Sequence, residues 1–270
     1  MLTHSTAPIG IFDSGLGGLT VLAALREHLP LEHFLYFADT RYLPYGDRPE
    51  DFLRERGLQI SAYLADQGAK AIVIACNTAT AAAAESIRAH CHLPVIALEP
   101  AVKPAAEACS DQGCIGVLAT TRTLKSQRFQ QLLKAYAHKK QVIPQACPGL
   151  AEAIENEGPE SPSVAALLDV YLKPLSDLGV EVVVLGCTHY AWVRQGIARR
   201  LPENAMLIDT GEAVARQVRR RLAEAGLLNK GAAPRPEDQW SLVTSGETGV
   251  VQRTLQRLSV AVPRIRSSDL

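Results

Sequence analysis

The chain has 270 residues, 47% of them hydrophobic, enough for one large or two modest α/β domains. Its 28 Lys and Arg balance 28 Asp and Glu, which leaves no basic excess for a phosphate backbone and argues against nucleic-acid binding. No uninterrupted apolar run approaches the ~18 residues of a membrane span, and residues 1–8 lack a basic stretch followed by an apolar core, so a soluble cytoplasmic protein without an export signal is expected.

Ile9-Gly10-Ile11-Phe12 reads as a short strand, followed by a glycine-rich turn over 13–20 and a helix over 21–28. Glycines in such a turn let backbone amides approach an anion at a helix N-terminus. Gly15 and Gly17 fit the start of a dinucleotide fingerprint, but Thr20 stands where a third glycine would let helix pack on strand. Asp39 follows the next strand, Phe34–Ala38, where a ribose-binding acid would lie, so NAD binding stays open as an alternative. Asp13 is better explained as a titratable group at the mouth of the first strand, with Ser14 as a donor beside it. The loop 40–49 carries Tyr45 and Gly46 among turn residues and can serve as ligand wall or as plain surface connection. A helix over 50–67 returns the chain to the sheet.

The stretch 71–84 organises the rest. Its first half is an apolar run that reads as a strand buried on both faces. Its second half is alanine-rich, opens with Asn77-Thr78 and reads as a helix start. Cys76 therefore sits at the carboxyl end of a strand and at a helix N-terminus, where open α/β sheets bind ligands. A helix end favours a thiolate over a thiol there.

A strand over 93–98 leads to 99–104, where two prolines mark a domain crossover. Strand–helix alternation then restarts. A strand over 115–119 precedes a helix over 120–136, in which Thr120 and Thr123 serve as caps or oxyanion donors. A strand over 141–146 ends at Cys147, which lacks the Thr/Asn neighbours of Cys76 and reads as structural. In the acidic helix 151–157, Glu152, Glu155 and Glu157 read as a solvated face. A helix over 163–178 leads to a second buried run, 180–186, and then to Cys187-Thr188-His189-Tyr190.

A helical segment to 200, a strand over 205–209 and a basic helix over 212–225 follow. The segment 229–238 reads as a mobile linker, Trp240–Thr244 as a last strand and 250–258 as a closing helix. Elements after 210 are expected to fold back onto the first half. The expected domains are thus 1–98 plus 210–270, carrying Asp13 and Cys76, and 99–209, carrying Cys187. The six cysteines form no CxxC pair and should be reduced. Cys91, between His90 and His92, lacks zinc-site spacing, so no metal is expected.

Two strand-end thiols, one from each half, can act on one carbon from two sides. A thiolate is a usable base and a thiol a usable acid. If one removes a proton while the other delivers one to the opposite face, the carbon inverts. The two sides would be tuned differently, by Asp13 near Cys76 and by His189 near Cys187.

Asp13-Ser14-Gly15-Leu16-Gly17-Gly18, Pro44-Tyr45-Gly46, Ala75-Cys76-Asn77-Thr78-Ala79 and Gly186-Cys187-Thr188-His189-Tyr190 resemble the motifs of the glutamate racemases, cofactor-independent members of the aspartate/glutamate racemase superfamily. The four motifs occur in order from about residue 9 to residue 209. The resemblance implies two similar doubly wound α/β domains with parallel-rich sheets, an active site in the cleft between them and no cofactor. It implies that Cys76 and Cys187 are the acid/base thiols and that Asp13, His189 and Glu155 assist. Glu155 is the least secure of these by pattern, because Gly149 and Glu152 depart from the family's more apolar run. Ser14, Tyr45, Gly46, Asn77, Thr78, Thr120, Thr123 and Thr188 would bind the carboxylates and ammonium of glutamate. The family supplies D-glutamate for peptidoglycan. An aspartate-type or hydantoin racemase of the same superfamily and a non-enzymatic nucleotide-binding module are the alternatives. A homodimer is left open.

Overall fold

The computed structural model describes residues 5–270; residues 1–4, part of the segment 1–8 on which the expectation of no export signal rests, lie outside them. Ten strands follow one another as β1 (Ile9–Asp13), β2 (Phe34–Ala38), β3 (Ala71–Ile74), β4 (Val95–Ala97), β5 (Cys114–Ala119), β6 (Gln141–Ala146), β7 (Val182–Leu185), β8 (Met206–Ile208), β9 (Trp240–Thr244) and β10 (Arg264–Ser267). They form a six-stranded sheet ordered β10-β9-β2-β1-β3-β4 and a four-stranded sheet ordered β6-β5-β7-β8. Every pairing is parallel. The central strands β1, β3 and β7 are buried along their whole length, as their unbroken apolar runs require when helices cover both faces.

The helices are α1 (Leu19–His28), α2 (Glu50–Asp66), α3 (Asn77–His90), α4 (Val102–Ala108), α5 (Thr121–Lys125), α6 (Gln127–Tyr136), α7 (Leu150–Glu157), α8 (Pro162–Asp177), α9 (Arg194–Ala198), α10 (Gly211–Glu224) and α11 (Thr248–Arg257). The protein is an α/β molecule of two domains, one around each sheet. In the larger sheet the strand order reverses between β1 and β3, and in the smaller between β5 and β7. Ligands bind at such switch points. Asp13 ends β1 and Cys76 lies two residues past β3 in one sheet; Thr120 directly follows β5 and Cys187 lies two residues past β7 in the other.

The return of the last segment follows the sequence reading. Helix α10 packs on α1, and β9 extends the first sheet beyond β2. Five local expectations need correction. The proline segment 99–104 is not simply a crossover, because helix α4 begins at Val102 and Pro104 occupies its first turn, where no intrahelical N–H is required. The helix expected over 120–136 is two helices, broken at an extended Ser126 whose hydroxyl accepts the Phe129 N–H and starts α6 afresh. The segment after Cys187 runs through a 3-10 turn, Thr188–Val193, before the short α9. The linker 229–238 is tied at both ends. The Asn229 N–H donates to Glu32 Oε1 at 2.9 Å, and Gln239 Oε1 accepts from Arg26 Nε at 2.7 Å. Strand β10 has no counterpart in the sequence reading, since Ile265 is its sole apolar residue and only one face meets the core.

Candidate active site

The glycine-rich turn after β1 does build an anion-binding loop, but the protein fills it with its own carboxylates. Asp13 is fully buried; Oδ1 accepts the Ser14 N–H at 2.8 Å and Oδ2 the Gly18 N–H at 2.6 Å. The Leu16 N–H donates to Glu155 Oε1, which reaches over from α7 in the other domain at 2.6 Å. A side chain at position 15 would collide with Glu155, and one at position 17 with the His189 ring. Glycine is needed here for close approach between domains, not for a pyrophosphate. The dinucleotide alternative therefore loses its loop. It also loses its acid, because Asp39 is fully buried in a bidentate ion pair with Arg56, at 2.6 and 2.8 Å.

His189 lies between the loop and the second thiol. Its Nε2 is 2.6 Å from Glu155 Oε1 and its Nδ1 3.7 Å from Cys187 Sγ. Burial opposes a charge on the ring. The hydrogen bonds to Cys187 and Glu155, with the charge of Glu155, outweigh burial and hold the imidazole well above its usual range. Protonated, the ring donates through both nitrogens. Glu155 is thus a buried partner of His189 rather than part of a solvated face, while Glu157 is exposed as expected. Burial likewise pushes the Asp13 carboxyl up; the charge of His189 and the Gly18 amide pull it back, and Glu155 adds to the rise.

Cys76 caps α3. Its Sγ accepts the Ala79 N–H at 3.4 Å and lies 3.9 Å from Ser14 Oγ. The expectation that this helix end favours thiolate is overturned. Burial, and after it the charge of Asp13, push the Cys76 thiol up, and the Ala79 N–H and Ser14 hydroxyl only partly offset them. Cys187 follows β7 in the matching position but starts a 3-10 turn and makes no cap hydrogen bond of its own.

One cavity of about 590 Å³ is lined by both thiols together with Ser14, Tyr45, Gly46, Asn77, Thr78, Thr120, Thr188 and His189. Asp13, Glu155 and Thr123 do not reach its wall and act from behind it. Thr188 Oγ1 lies 3.4 Å from Asp13 Oδ2 across the domain boundary. The hydroxyls of Thr78, Thr120 and Thr123 form a triangle with sides of 3.0 Å and 3.3 Å, again across the boundary. The amide oxygen and nitrogen of Asn77 are buried with no partner among the described residues. A buried amide left unpaired is costly and marks a place for a ligand. Two features escape the sequence reading. Tyr45 donates to Asp39 Oδ2 at 2.5 Å, so the buried Arg56–Asp39 pair holds the cavity loop from outside. Cys147 lines the cavity although it reads as structural, but burial pushes its thiol up to about 12, which keeps it protonated.

The family model described as Asp/Glu/Hydantoin racemase matches residues 23–218. The chain is 45% identical over 265 residues to the glutamate racemase of Methylococcus capsulatus, covering 98% of this chain and 96% of that protein. It is 43% identical over 270 residues to the glutamate racemase of Pseudomonas entomophila, covering 100% of each. Its fold superposes on the glutamate racemase of Thermus thermophilus in complex with beta-chloro-D-alanine with a TM-score of 0.81, at 34% identity over 98% of both chains. The Escherichia coli glutamate racemase in complex with L-glutamate and the activator UDP-MurNAc-ala gives 0.83 at 28% identity, over 97% of this chain and 98% of that one. A strand-end thiol from each domain, paired carboxylates behind a shared loop and full-length similarity of this order agree: the chain belongs to the glutamate racemases of the Asp/Glu/hydantoin racemase family.

Proposed function

We propose that the protein interconverts L- and D-glutamate by a two-thiol, cofactor-independent transfer at Cα, and that it does so in the cytoplasm to supply D-glutamate for peptidoglycan. The domain division that serves this is 1–98 plus 210–270 against 99–209, supported by the membership of the two sheets. The observation that carries the mechanism is the pair of thiols, one from each domain, lining a single cavity with different partners.

With D-glutamate bound, the Cys76 thiolate takes the Cα proton and the Cys187 thiol delivers its own proton to the other face. The products are L-glutamate, a Cys76 thiol and a Cys187 thiolate. In the reverse direction the roles exchange, so the charge state belongs to the pair. Asp13 and Ser14 stand on the Cys76 side, the protonated His189 on the Cys187 side, where its Nδ1–H can stabilise a thiolate. The ammonium of the substrate is a cation that the cavity wall does not itself supply near Cys76. Its charge offsets the burial and the Asp13 charge that hold that thiol protonated. Asn77 and the hydroxyl triangle offer neutral donors and acceptors for carboxylate and ammonium, so they bind without quenching a thiolate.

The test is conversion of L-glutamate in D2O, sampled early and analysed by mass spectrometry after separation of the enantiomers. Two thiols put solvent deuterium on the D product while unreacted L-glutamate stays protiated. A protiated early D product would mean one base carrying the proton across, and would refute the assignment of Cys76 and Cys187.

A further inference from the structure

The catalytic cavity poses a charge problem that its own wall does not solve. Glutamate carries two carboxylates and one ammonium, a net negative charge. Yet the cavity wall holds no Lys or Arg, the charge of His189 is taken up by Glu155 and Cys187, and the wall also holds Asp47 and Glu152. A second, shallower groove shares Gly46 and Thr121 with the cavity and opens beside its mouth. One side of this groove belongs to the first domain, with Glu50, Ala81 and Ala82; the other is α5 of the second domain, with Arg122 and Lys125. Glu50 is already engaged by Arg54 at 3.5 Å. Arg122 has no ion-pair or hydrogen-bond partner among the described residues, and its Nε is buried without an acceptor. Lys125 is likewise unpaired there and exposed. A guanidinium with a shielded, unsatisfied N–H beside a substrate passage is a carboxylate site in waiting.

Resting on the functional reading above, we propose that Arg122, assisted by Lys125, is a specificity-determining residue that selects an anionic amino acid. It supplies from the neighbouring groove a positive potential toward the substrate beyond that of His189, whose charge is held between Glu155 and Cys187. The division of labour is physical. A further cation against the sulfurs, beyond His189, would weaken the thiolates as bases, whereas one placed at the mouth still attracts a dicarboxylate. The interaction is long-range, partly solvated and open to screening by salt.

The experiment compares wild type with Arg122→Gln, Arg122→Lys and the double variant Arg122→Gln/Lys125→Gln. Each is assayed with both enantiomers at low ionic strength and in about 0.5 M salt, where screening is nearly complete at these distances. Arg219→Gln, an exposed cation on α10 with no partner among the described residues, controls for the loss of one positive charge anywhere on the surface. Charge neutralisation at 122 and 125 is expected to raise KM for both enantiomers by roughly three- to tenfold at low salt, with the difference largely gone at high salt. The inhibition constant of glutarate, a dicarboxylate without the ammonium, should rise in parallel, and Arg122→Lys should stay close to wild type. An unchanged KM at low salt, a rise that salt does not erase, a loss confined to kcat, or an Arg122→Lys variant as impaired as Arg122→Gln would each overturn the proposal. If wild type turned over neither enantiomer, the functional reading itself would fail. Salt-dependent binding of glutarate, measured by calorimetry, would then still decide the role of Arg122.

Discussion

The two thiol-bearing sheet edges are built from one plan and finished differently. In each, a buried parallel strand next to the switch point ends two residues before a cysteine, and a helical turn follows. At the first edge the turn grows into the 14-residue α3, Cys76 caps it, and the charge that acts on it most is the Asp13 carboxylate. At the second the turn is 3-10, the cysteine caps nothing, and an imidazole sits 3.7 Å away. Stereoinversion needs two groups that can each be acid and base, but chemical equality does not require identical surroundings. The first edge leaves thiolate stabilisation to one backbone amide, one hydroxyl and the incoming ammonium. The second carries its own cation, anchored by Glu155. The loop 13–18 joins the two, since Asp13 and the Leu16 amide serve both edges.

The hardest way to break the comparison is to remove one edge. Cys76→Ala and Cys187→Ala should each lower racemisation by about 10³-fold or more, since each deletes an obligatory proton carrier. Near-normal activity in either variant would show that the edges are not both used.

Replacing His189 by Asn should cost about 10²-fold, within the range for a group assisting proton transfer. Racemisation has an equilibrium constant of one, so kcat/KM must fall equally in both directions. The difference between the edges therefore shows in isotope effects. If Cys187 steps become limiting, α-deuterated L-glutamate should show a larger primary effect than in wild type, and α-deuterated D-glutamate a smaller one. Equal changes for the two would place His189 in general binding rather than beside one thiol.

Much of this asymmetry was legible before the fold was known, and the part that was not has a definite cause. Strand-end cysteines at 76 and 187 are local patterns, because a buried strand and a helix start are each set by a few consecutive residues. So are the hydroxyls that ring the cavity. The purpose of Gly15 and Gly17 was not, since the groups that require them, Glu155 and His189, lie in another domain. Nor was the anchoring of Tyr45 through Asp39 and Arg56, three residues joined only by the fold. The direction of the Cys76 shift was misjudged for the same reason. A helix end is visible in sequence, whereas burial and the approach of Asp13 are tertiary facts. Local signals located the site, and long-range packing decided its electrostatics.

Alkylation sharpens that last point. The raised Cys76 thiol should react slowly with iodoacetamide at pH 7, and its rate should climb about tenfold per pH unit while the thiol form dominates. Peptide mapping should find Cys76 modified far more slowly at pH 7 than in the unfolded chain, with glutamate protecting the site. Faster modification of Cys76 at neutral pH would show that the helix end, not burial, governs it.

The smallest expected effect concerns stability. In the folded protein the His189 imidazole is held well above its usual range by Glu155 and Cys187 despite burial, whereas the unfolded chain returns it to about 6.5. A raised value means that the folded state binds this proton more tightly. The resulting stability is fully present below about pH 6.5 and is lost as pH rises through the folded value. Asp13 and Cys76 also hold protons more tightly when folded, but wild type and His189→Asn share them, so they largely cancel in a comparison. The difference in unfolding free energy between the two proteins should therefore shrink from pH 6 to pH 9, by an amount on the order of 1 kcal/mol. The same comparison for Cys76→Ala should be nearly flat between pH 6 and 8, because the first edge carries no cation that titrates there. Thermal or denaturant unfolding across this range measures both. A flat profile for His189→Asn would show that the ring is neutral and meets Glu155 through an uncharged hydrogen bond, so that the two edges are electrostatically alike.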